Sequence, residues 1–511
     1  MNRRHFVKIL GIGGAATVVA PKIAASITVK SPDAIEINPT PLFELSPWLY
    51  MQFMEPLGVT DSSIEAAWNH EKDDWRTDLI EATQELAPGM MRWGGLLSAY
   101  YRWKESVGPR SGRIPMRNLV WGGIETNQVG TAEFIDFCRR VKADPLMCVN
   151  FESEGDPRWA RTGKGEVRFA DAREAAEWVD YCNNPSNKDR ISHGYLEPFK
   201  LQTWQLGNET SYDSHRFDLN RAIQKTVEFS KAMRSVDPSI KLIAWGDSGW
   251  AGPMIEQAGE HFDYIAFHHM FDPGQRQSSP VLRDNEYRKD PNATWDILMD
   301  GYKMHEKKIL EVRQQAEPLK KQMALTECHF ALPGRNRCEV LSSWAAGVSY
   351  ARMMNLHERH GDLLKIATLA DFCGTRWQVN AVMIPVPDGR SFLMPVAKIM
   401  SLYRKHSGQQ FVKVKTPDNG LDITASRTGD TFYLHVVNTN RLKAVEMDIH
   451  IQGLQTMGCK VFELSTDPQF EIMSAQNDPL KPKERRVQPN APVVFPPASV
   501  SAVELLTEAM I

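Results

Sequence analysis

Eight short apolar runs, separated by stretches of helical spacing, constrain the fold of this chain more than any other feature. The runs end near residues 54, 93, 150, 207, 245, 267, 326 and 369. Between two of them, Phe134, Phe137, Cys138 and Val141 recur at i, i+3, i+4 and i+7, which is helical spacing. Strands that alternate with helices form parallel sheets, and eight such strands are the number of a closed barrel. We therefore predict an α/β fold built on a (β/α)8 TIM barrel.

The remainder of the chain predicts a second domain. An open, doubly wound sheet is the alternative to the barrel, but no glycine-rich phosphate loop follows the first predicted strand. From about Ala397 the pattern changes to short alternating runs separated by Gly-Asp and Pro-rich turns, which is typical of an antiparallel β-sandwich. We assign residues 47–396 to the barrel and residues 397–511 to this C-terminal β-sandwich. Residues 31–46 are predicted to be an extended segment that can supply a strand to the sandwich.

Residues 1–30 are predicted to be an export signal rather than part of the fold. Arg3 and Arg4 precede an apolar run over residues 9–20, an arrangement that resembles the twin-arginine signal of bacteria. The run is too short to span a bilayer comfortably, and small residues at 24–26 indicate where cleavage would occur. We therefore predict a periplasmic or secreted protein with no membrane insertion after signal cleavage.

Charge and cysteine content argue against several classes of function. The formal net charge is −3 and the charged fraction is 24%, so no surface for nucleic acid is indicated. The seven cysteines include no Cys-x-x-Cys pair. The adjacent pairs His268-His269 and Cys328-His329 lack the usual spacing of metal ligands. We therefore predict no metal, no cofactor and no nucleic-acid partner.

Polar residues stand where the predicted strands end, which is the catalytic rim of a barrel. They are Glu55, Arg92, Asn150, Asn208, Glu209, His268 and Glu327. Glu209 ends the fourth predicted strand and Glu327 the seventh, so their side chains are expected to face each other across the barrel mouth. Paired carboxylates, one protonated and the other ionised, are what glycoside hydrolysis requires. We predict that this pair is catalytic, with Asn208 placed to contact a sugar hydroxyl.

The other residues at the rim also have purely structural interpretations. Glu55 could be a salt-bridged acid of the rim, and His268 a histidine whose hydrogen bonds are all made within the protein. Arg92 more often holds a catalytic carboxylate in place than touches substrate. Three tryptophans could stack on sugar rings, although tryptophan at strand or helix spacing more often belongs to the core: Trp245, Trp250 and Trp377.

Several short stretches carry a resemblance to a known family. They include Met-Arg-Trp-Gly-Gly at 91–95, Tyr-Arg-Trp-Lys at 101–104, Glu-Thr-Asn-Gln-Val-Gly at 125–130, Trp-Val-Asp-Tyr-Cys-Asn at 178–183, Leu-Gly-Asn-Glu at 206–209 and Val-Val-Phe-Pro-Pro-Ala-Ser-Val at 493–500. The chain resembles clan A glycoside hydrolases, and most closely the family 51 α-L-arabinofuranosidases. The resemblance implies that Glu209 is the acid/base and Glu327 the nucleophile. It also implies a barrel with a β-sandwich, often assembled into oligomers.

The resemblance further implies that Glu55, Asn150 and Asn208 touch the sugar, with His268 close by. Three loops depart from the family pattern. Arg92-Trp-Gly-Gly is followed by Leu where the family usually has Arg-Trp-Pro-Gly-Gly-Asn, and Thr-Glu-Cys-His at 326–329 replaces Asp-Glu-Trp. The sixth strand ends in His-His-Met at 268–270, where a histidine followed by aromatic residues is more usual.

These observations predict a retaining glycoside hydrolase that acts on an oligosaccharide or polysaccharide. The first hypothesis is an exo-acting α-L-arabinofuranosidase on fragments of plant polysaccharide. The second is a related retaining enzyme of different specificity, such as a β-xylosidase or an endo-glucanase, which the altered loops would suit. The third is a non-catalytic carbohydrate-binding barrel, against which the retention of both carboxylates argues.

Overall fold

The computed structural model describes residues 27–31, 33–57, 64–118, 122–155, 168–212, 217–273, 280–332 and 338–509. Most of the predicted signal, residues 1–26, lies outside these residues. The strands of the barrel region and of the segment before it are β1 (Ile27–Lys30), β2 (Ile35–Glu44), β3 (Gln52–Met54), β4 (Trp68–Asn69), β5 (Asp74–Trp75), β6 (Met90–Trp93), β7 (Met116–Arg117), β8 (Ile124–Glu125), β9 (Asp144–Val149), β10 (Thr203–Leu206), β11 (Lys241–Trp245), β12 (Tyr264–Phe271), β13 (Gln322–Phe330), β14 (Leu364–Ala367), β15 (Asp371–Gly374), β16 (Asn380–Met383) and β17 (Phe392–Leu393).

The strands that follow are β18 (Gln410–Lys415), β19 (Leu421–Thr428), β20 (Thr431–Asn438), β21 (Lys443–Met447), β22 (Ile449–Ile451), β23 (Leu454–Ser465), β24 (Lys483–Val487), β25 (Val493–Phe495) and β26 (Ser499–Ala509). The α-helices are α1 (Ile64–Ala67), α2 (Thr77–Leu86), α3 (Thr131–Val141), α4 (Ala172–Asn183), α5 (Lys188–Ser192), α6 (Leu219–Val236), α7 (Ala251–Ala258), α8 (Pro291–Ala316), α9 (Trp344–Arg359) and α10 (Pro395–Lys405).

The eight predicted strands form one sheet in which neighbours along the chain are neighbours in space. Their order is β3-β6-β9-β10-β11-β12-β13-β14, and every neighbouring pair is parallel. At the end of β14, the Ala367 carbonyl accepts a hydrogen bond from the Met51 amide at 3.0 Å, and the following strand β15 pairs with β3. The sheet therefore curls until its last and first parallel strands meet. The α/β class is confirmed, and the open doubly wound sheet is excluded.

Helices with one apolar face cover the outside of this sheet. In α3 the residues at the predicted helical spacing, from Phe134 to Val141, are buried. Helix α4 begins where its sequence predicts, because the Asp171 side chain caps it by accepting a hydrogen bond from the Glu174 amide at 2.9 Å. Helix α6 ends at Val236, immediately before the predicted Asp-Pro stop. Local capping and apolar spacing thus set the bounds of these helices.

Strands β12 and β13 are longer than the sequence predicts. They end at Phe271 and Phe330 rather than near residues 267 and 326. The pairing continues because both phenylalanines are buried against each other, with ring centroids 4.8 Å apart. As a result, His268 and Glu327 lie inside paired strands, opposite each other in register, rather than at strand ends.

The C-terminal strands form two sheets that share one core. The larger sheet has the order β22-β2-β18-β19-β20-β26-β23-β24, and β22 also pairs with β23, so that seven of its strands close into a barrel with β24 at the edge. The smaller sheet has the order β1-β21-β25. Strand β2 comes from the predicted extended segment and pairs with β18 and β22. Apolar residues from both sheets, such as Ile37 and Val436 from one and Met447 and Phe495 from the other, belong to a single buried cluster. The C-terminal region is therefore all-β as predicted, but its larger sheet is closed rather than one open layer of the predicted β-sandwich.

The structure moves two of the predicted boundaries. Residues Ile27–Lys30, which the prediction gave to the signal, form β1 and pair in parallel with β21. The boundary at 396/397 cuts α10, a helix that packs on α2 and α9 of the barrel region. The alternating pattern that marks the sandwich begins only with β18, after this helix. The prediction therefore placed the change of pattern one helix too early, since α10 begins at Pro395, shortly after the two-residue strand β17.

The buried cysteines and the helices agree with a globular core. All seven cysteines are buried, as their apolar sequence contexts predict. Across the described ranges, no helix is both long enough and apolar enough to cross a membrane.

Candidate active site

The predicted rim residues gather at the C-terminal end of the parallel sheet. Glu55 directly follows β3, Arg92 lies in β6, Asn150 follows β9, Asn208 and Glu209 follow β10, and His268 and Glu327 lie in β12 and β13. All of them are buried except Glu55, which is partly exposed. Buried charged and polar groups require partners, so their contacts define how the site is built.

The turn after β10 aims Glu209 into the site. Gly207 and Glu209 have φ angles of +73° and +54°, in the left-handed region that L-residues with side chains rarely adopt. A Cβ atom on Gly207 would lie 2.5 Å from Glu154 Oε2 and 2.7 Å from Phe151 Cβ. Only glycine fits this close approach, and it lets the chain reverse so that the next residues leave the strand toward the barrel mouth. Such backbone strain is often found at functional sites.

Both carboxylates approach the same nitrogen of one imidazole ring. His268 Nδ1 is 3.0 Å from Glu209 Oε1 and 3.7 Å from Glu327 Oε2. The three donor atoms, one from each residue, lie within 4.8 Å of one another. On the other side of the ring, Nε2 is 2.9 Å from the Thr326 hydroxyl. Burial lowers the pKa of His268 to about 4, so the ring is neutral and its two nitrogens divide into one donor and one acceptor.

Arg92 fixes the other side of the pair. Its guanidinium is fully buried and donates from Nη1 to Glu327 Oε1 at 2.7 Å. It also donates from Nη2 to Asn208 Oδ1 at 2.7 Å and from Nε to Gln205 Oε1 at 2.9 Å. Burial alone would lower the pKa of Arg92, but the Glu327 carboxylate beside it raises that pKa above its ordinary value. Arg92 therefore holds Glu327 and Asn208 in place, which is the role that the sequence analysis gave as the alternative to contact with substrate.

Glu55 lies at the edge of the same site. Its Oε1 accepts a hydrogen bond from the Leu97 amide at 2.9 Å, and a Cβ atom on Gly95 would lie 2.7 Å from its carboxyl carbon. Burial, followed by the nearby Glu327 carboxylate, raises the pKa of Glu55 to about 8. Glu55 therefore carries a proton near neutral pH and can donate a hydrogen bond, unlike an ionised rim acid in a salt bridge.

Glu55→Gln is expected to flatten the pH dependence of folding stability. The folded-state pKa of about 8 lies above the unfolded value of about 4.3. The contribution of protonated Glu55 to the free energy of unfolding is therefore fully present below about pH 4.3. That stability is lost as the pH rises through about 8. Because each pKa unit corresponds to about 1.4 kcal/mol, the wild type should lose on the order of 4 kcal/mol more than the variant between about pH 5 and pH 9 in urea unfolding. Identical slopes for both proteins would contradict the raised pKa.

Asn150 is engaged by the loop around it. Its Nδ2 donates to the carbonyls of Tyr101 and Arg168 at 3.2 and 3.0 Å, and its Oδ1 accepts from the Ser153 amide at 2.9 Å. Both amide hydrogens are thus used within the protein, so only Oδ1 retains capacity for a ligand. Within the described ranges, no contact joins Asn150 to the two carboxylates.

Asp247 is a site residue that the sequence analysis missed. It follows β11 and is buried, and its Oδ2 accepts hydrogen bonds from Tyr212 Oη at 2.6 Å and from the His268 amide at 3.2 Å. Lys308 forms an ion pair with its Oδ1. Burial alone would raise the pKa of Asp247, but Lys308 and the hydrogen bonds hold it below its ordinary value. The signal was present in the sequence, since Gly246-Asp247 follows a predicted strand just as Asn208-Glu209 does.

The three tryptophans considered for sugar stacking pack against other side chains of the protein. Trp245 is buried, donates to Ser211 Oγ at 2.8 Å and stands edge-on to the His268 ring at 4.6 Å. Trp250 packs against the apolar residues of the barrel, and Trp377 packs edge-on against His329. Trp245 thus orients His268, as a core residue would.

The fold and this site define an α/β protein of barrel type, with two buried carboxylates held close together in the C-terminal part of its parallel sheet. Residues 82–288 match the family model described as the alpha-L-arabinofuranosidase 1 domain. This match includes Arg92, Asn208, Glu209 and His268 but ends before Glu327. The chain is 33% identical over 243 residues to the intracellular exo-alpha-(1->5)-L-arabinofuranosidase of Halalkalibacterium halodurans, covering 44% of this chain and 45% of that protein.

A similar match, 32% over 229 residues, relates it to the probable alpha-L-arabinofuranosidase C of Aspergillus niger, covering 43% of this chain and 42% of that protein. The chain thus spans less than half the length of these curated relatives. Solved structures match over nearly the whole chain. The alpha-L-arabinofuranosidase of Thermotoga maritima in complex with arabinose has a TM-score of 0.72 at 22% identity, covering 93% of this chain and 99% of that one.

The GH51 arabinofuranosidase of Xanthomonas axonopodis pv. citri has a TM-score of 0.76 at 20% identity, covering 92% of this chain and 99% of that one. At these identities the likeness establishes the fold that the two proteins share with this chain.

Proposed function

We propose that this chain is a retaining glycoside hydrolase of the α-L-arabinofuranosidase type, built on a (β/α)8 barrel. The observation that carries the proposal is the approach of Glu209, His268 and Glu327, with one donor atom of each within 4.8 Å of the others. Retaining enzymes place their two carboxyl groups about 5–5.5 Å apart, whereas inverting enzymes need about 6.5–9.5 Å to accommodate a water molecule. The compact pair supports the retaining mechanism.

The contacts of the two carboxylates support different roles for them. Glu327 forms an ion pair with the buried Arg92 guanidinium at 2.7 Å, which fixes the orientation of the carboxylate as a nucleophile requires. Glu209 faces the neutral imidazole of His268 at 3.0 Å, a partner that allows it to gain and lose a proton. We therefore assign Glu327 as the nucleophile and Glu209 as the acid/base.

The reaction proceeds in two displacements. In the first, a Glu327 oxygen attacks the anomeric carbon while the bond to the leaving oxygen breaks and Glu209 gives that oxygen its proton. In the second, Glu209 takes a proton from water, the water oxygen attacks the anomeric carbon, and the ester bond to Glu327 breaks. Asn208 and the protonated Glu55 contribute hydrogen bonds to the bound sugar, and Asn150 contributes through its Oδ1.

Both curated relatives are named as α-L-arabinofuranosidases, and one of them as exo-acting. These names support an exo-acting enzyme for terminal α-L-arabinofuranosyl groups of plant polysaccharide fragments. Small residues at Gly94 and Gly95, with Leu96 after them, shape the sugar pocket beside Glu55. This loop is where the chain departs from the family pattern, so it is the part of the site that decides the sugar accepted.

A panel of aryl glycosides tests the reaction and the sugar together. We expect hydrolysis of the aryl α-L-arabinofuranoside, with little activity on the β-D-xyloside and the β-D-glucoside. Proton NMR of the first product should show retained anomeric configuration. Hydrolysis of only another glycoside would contradict the proposed sugar, and an inverted first product would contradict the mechanism. No hydrolysis of any aryl glycoside or arabinan fragment would contradict enzymatic activity itself.

We also propose that residues 1–26 direct export to the periplasm or the outside of the cell. The proposal is supported by the Arg3-Arg4 pair ahead of the apolar run, and by the fact that the first strand begins at Ile27, next to the predicted cleavage region. Assembly into homo-oligomers is a further proposal that rests on the family resemblance alone.

A further inference from the structure

Behind the catalytic pair lies a second cluster of side chains that the proposed reaction does not use. Along β12 and β13, His268 is in register with Glu327, and the next pair in register is His269 with Cys328. Successive side chains of a strand point to opposite faces of a sheet. His268 and Glu327 enter the site, whereas His269 and Cys328 meet His305 of the covering helix α8.

The donor atoms of this cluster converge. His269 Nδ1 and His305 Nδ1 are 3.0 Å apart, and Cys328 Sγ is 4.0 Å from His305 Nδ1. All three atoms lie within 4.8 Å of one another. The two imidazole rings are nearly parallel, with an angle of 8° between their planes. His305 and Cys328 are buried, while His269 is partly exposed.

We propose that His269, His305 and Cys328 form a binding site for a thiophilic divalent cation, for which Zn²⁺ is the probe. Two imidazoles and one thiolate are ligands that zinc prefers, and sites with three protein ligands complete their coordination with water. With Zn–N distances of about 2.0–2.1 Å, tetrahedral geometry needs about 3.4 Å between the nitrogens. The observed 3.0 Å requires a movement of only a few tenths of an ångström.

His357 on α9 supplies the support that metal-bound histidines usually have. A ligating histidine normally donates its other ring N–H to a fixed acceptor, which sets the tautomer and the ring orientation. His305 Nε2 is 2.8 Å from His357 Nε2, so a His305 ring bound to metal through Nδ1 has its acceptor in place. The cation would tie together β12, β13 and α8 directly behind His268 and Glu327.

Two departures from the family pattern meet in this cluster. The histidine at 269 and the cysteine at 328 stand where the resemblance leads one to expect aromatic residues. Neither position has a role in the proposed hydrolysis. A metal site that includes His305 would account for both His269 and Cys328.

The test is Zn²⁺ binding to the full-length chain after treatment with a chelator, measured by isothermal titration calorimetry. We expect one saturable site in the wild type. We expect Cys328→Ser and His269→Ala to weaken it by on the order of 100-fold or more, and His357→Gln by about 10-fold or more. Cys182→Ser, which changes a buried cysteine of α4, is the matched control and should bind like the wild type.

Co²⁺ provides a spectroscopic test of the thiolate ligand. The wild type and Cys182→Ser should show a thiolate-to-cobalt charge-transfer band that is missing in Cys328→Ser. Circular dichroism checks that each variant is folded, and His269→Ala changes the most exposed of the three ligands if a buried substitution disrupts folding. Absence of a saturable site in the wild type, or equal binding by Cys328→Ser, would overturn the proposal. Because no substrate is involved, either outcome is independent of the proposed hydrolase activity.

Discussion

Glu327→Gln is expected to lower kcat on an aryl α-L-arabinofuranoside by on the order of 10⁴-fold or more. The amide has nearly the size and shape of the carboxylate but cannot form the covalent ester with the anomeric carbon. The surroundings should persist, since Arg92 keeps its hydrogen bonds to Asn208 and Gln205. The variant should therefore remain folded and still bind the sugar, which calorimetric titration with arabinose would show.

The matched control for this variant is Glu256→Gln, which makes the same change at an exposed position of α7. We expect its kcat and thermal midpoint to equal those of the wild type. A Glu327→Gln protein that is folded and retains kcat within about tenfold of the wild type would remove Glu327 from the role of nucleophile.

The strand pattern made the candidate pair visible before the structure was known. Gly-Asn-Glu after an apolar run identified Glu209, because a charged residue that follows a barrel strand lies at the C-terminal face, where the active sites of barrels are built. The same reasoning found Glu327, although its strand proved longer. Apolar residues end a predicted strand where polar ones begin, so the pairing that carries β13 on to Phe330 was not visible.

The partners of the pair required three-dimensional information. Asp247 joins Tyr212, Lys308 and the His268 amide, which come from three different elements. No local pattern links positions that are so far apart in sequence. The contacts of Asn150 were equally hidden, since its place at a strand end does not show that its Nδ2 donates to two neighbouring carbonyls and leaves only Oδ1 for a ligand.

The cluster behind the site shows which part of a metal site a sequence can reveal. The adjacent pairs His268-His269 and Cys328-His329 do not have the spacing of metal ligands, and a site was not expected there. Alternation along strands places His269 and Cys328 on one face and in register. The third member, His305, lies in the middle of the 26-residue helix α8, and only the packing of that helix on the sheet brings it to them.

Glu209→Ala is expected to divide substrates by the quality of their leaving group. General acid catalysis contributes about 10²–10⁴-fold, so arabinosides with poor leaving groups should lose activity to that extent. Activated aryl arabinosides need little proton donation and should still transfer their sugar to Glu327. The second displacement then lacks its base, because Glu209 no longer activates water. The covalent intermediate should accumulate, giving a rapid release of one equivalent of the phenol followed by slow turnover, with a lowered KM.

Azide separates this role from a general loss of structure. The shortened side chain leaves room beside His268, and an anion that needs no deprotonation can attack the anomeric carbon there. We expect azide to restore turnover of activated substrates by Glu209→Ala and to give a glycosyl azide of retained configuration. Glu327→Gln is the control and should gain nothing that forms such a product, because it cannot make the intermediate. Unchanged rates on poor leaving groups in Glu209→Ala would assign the proton to another residue, for which the protonated Glu55 is a candidate.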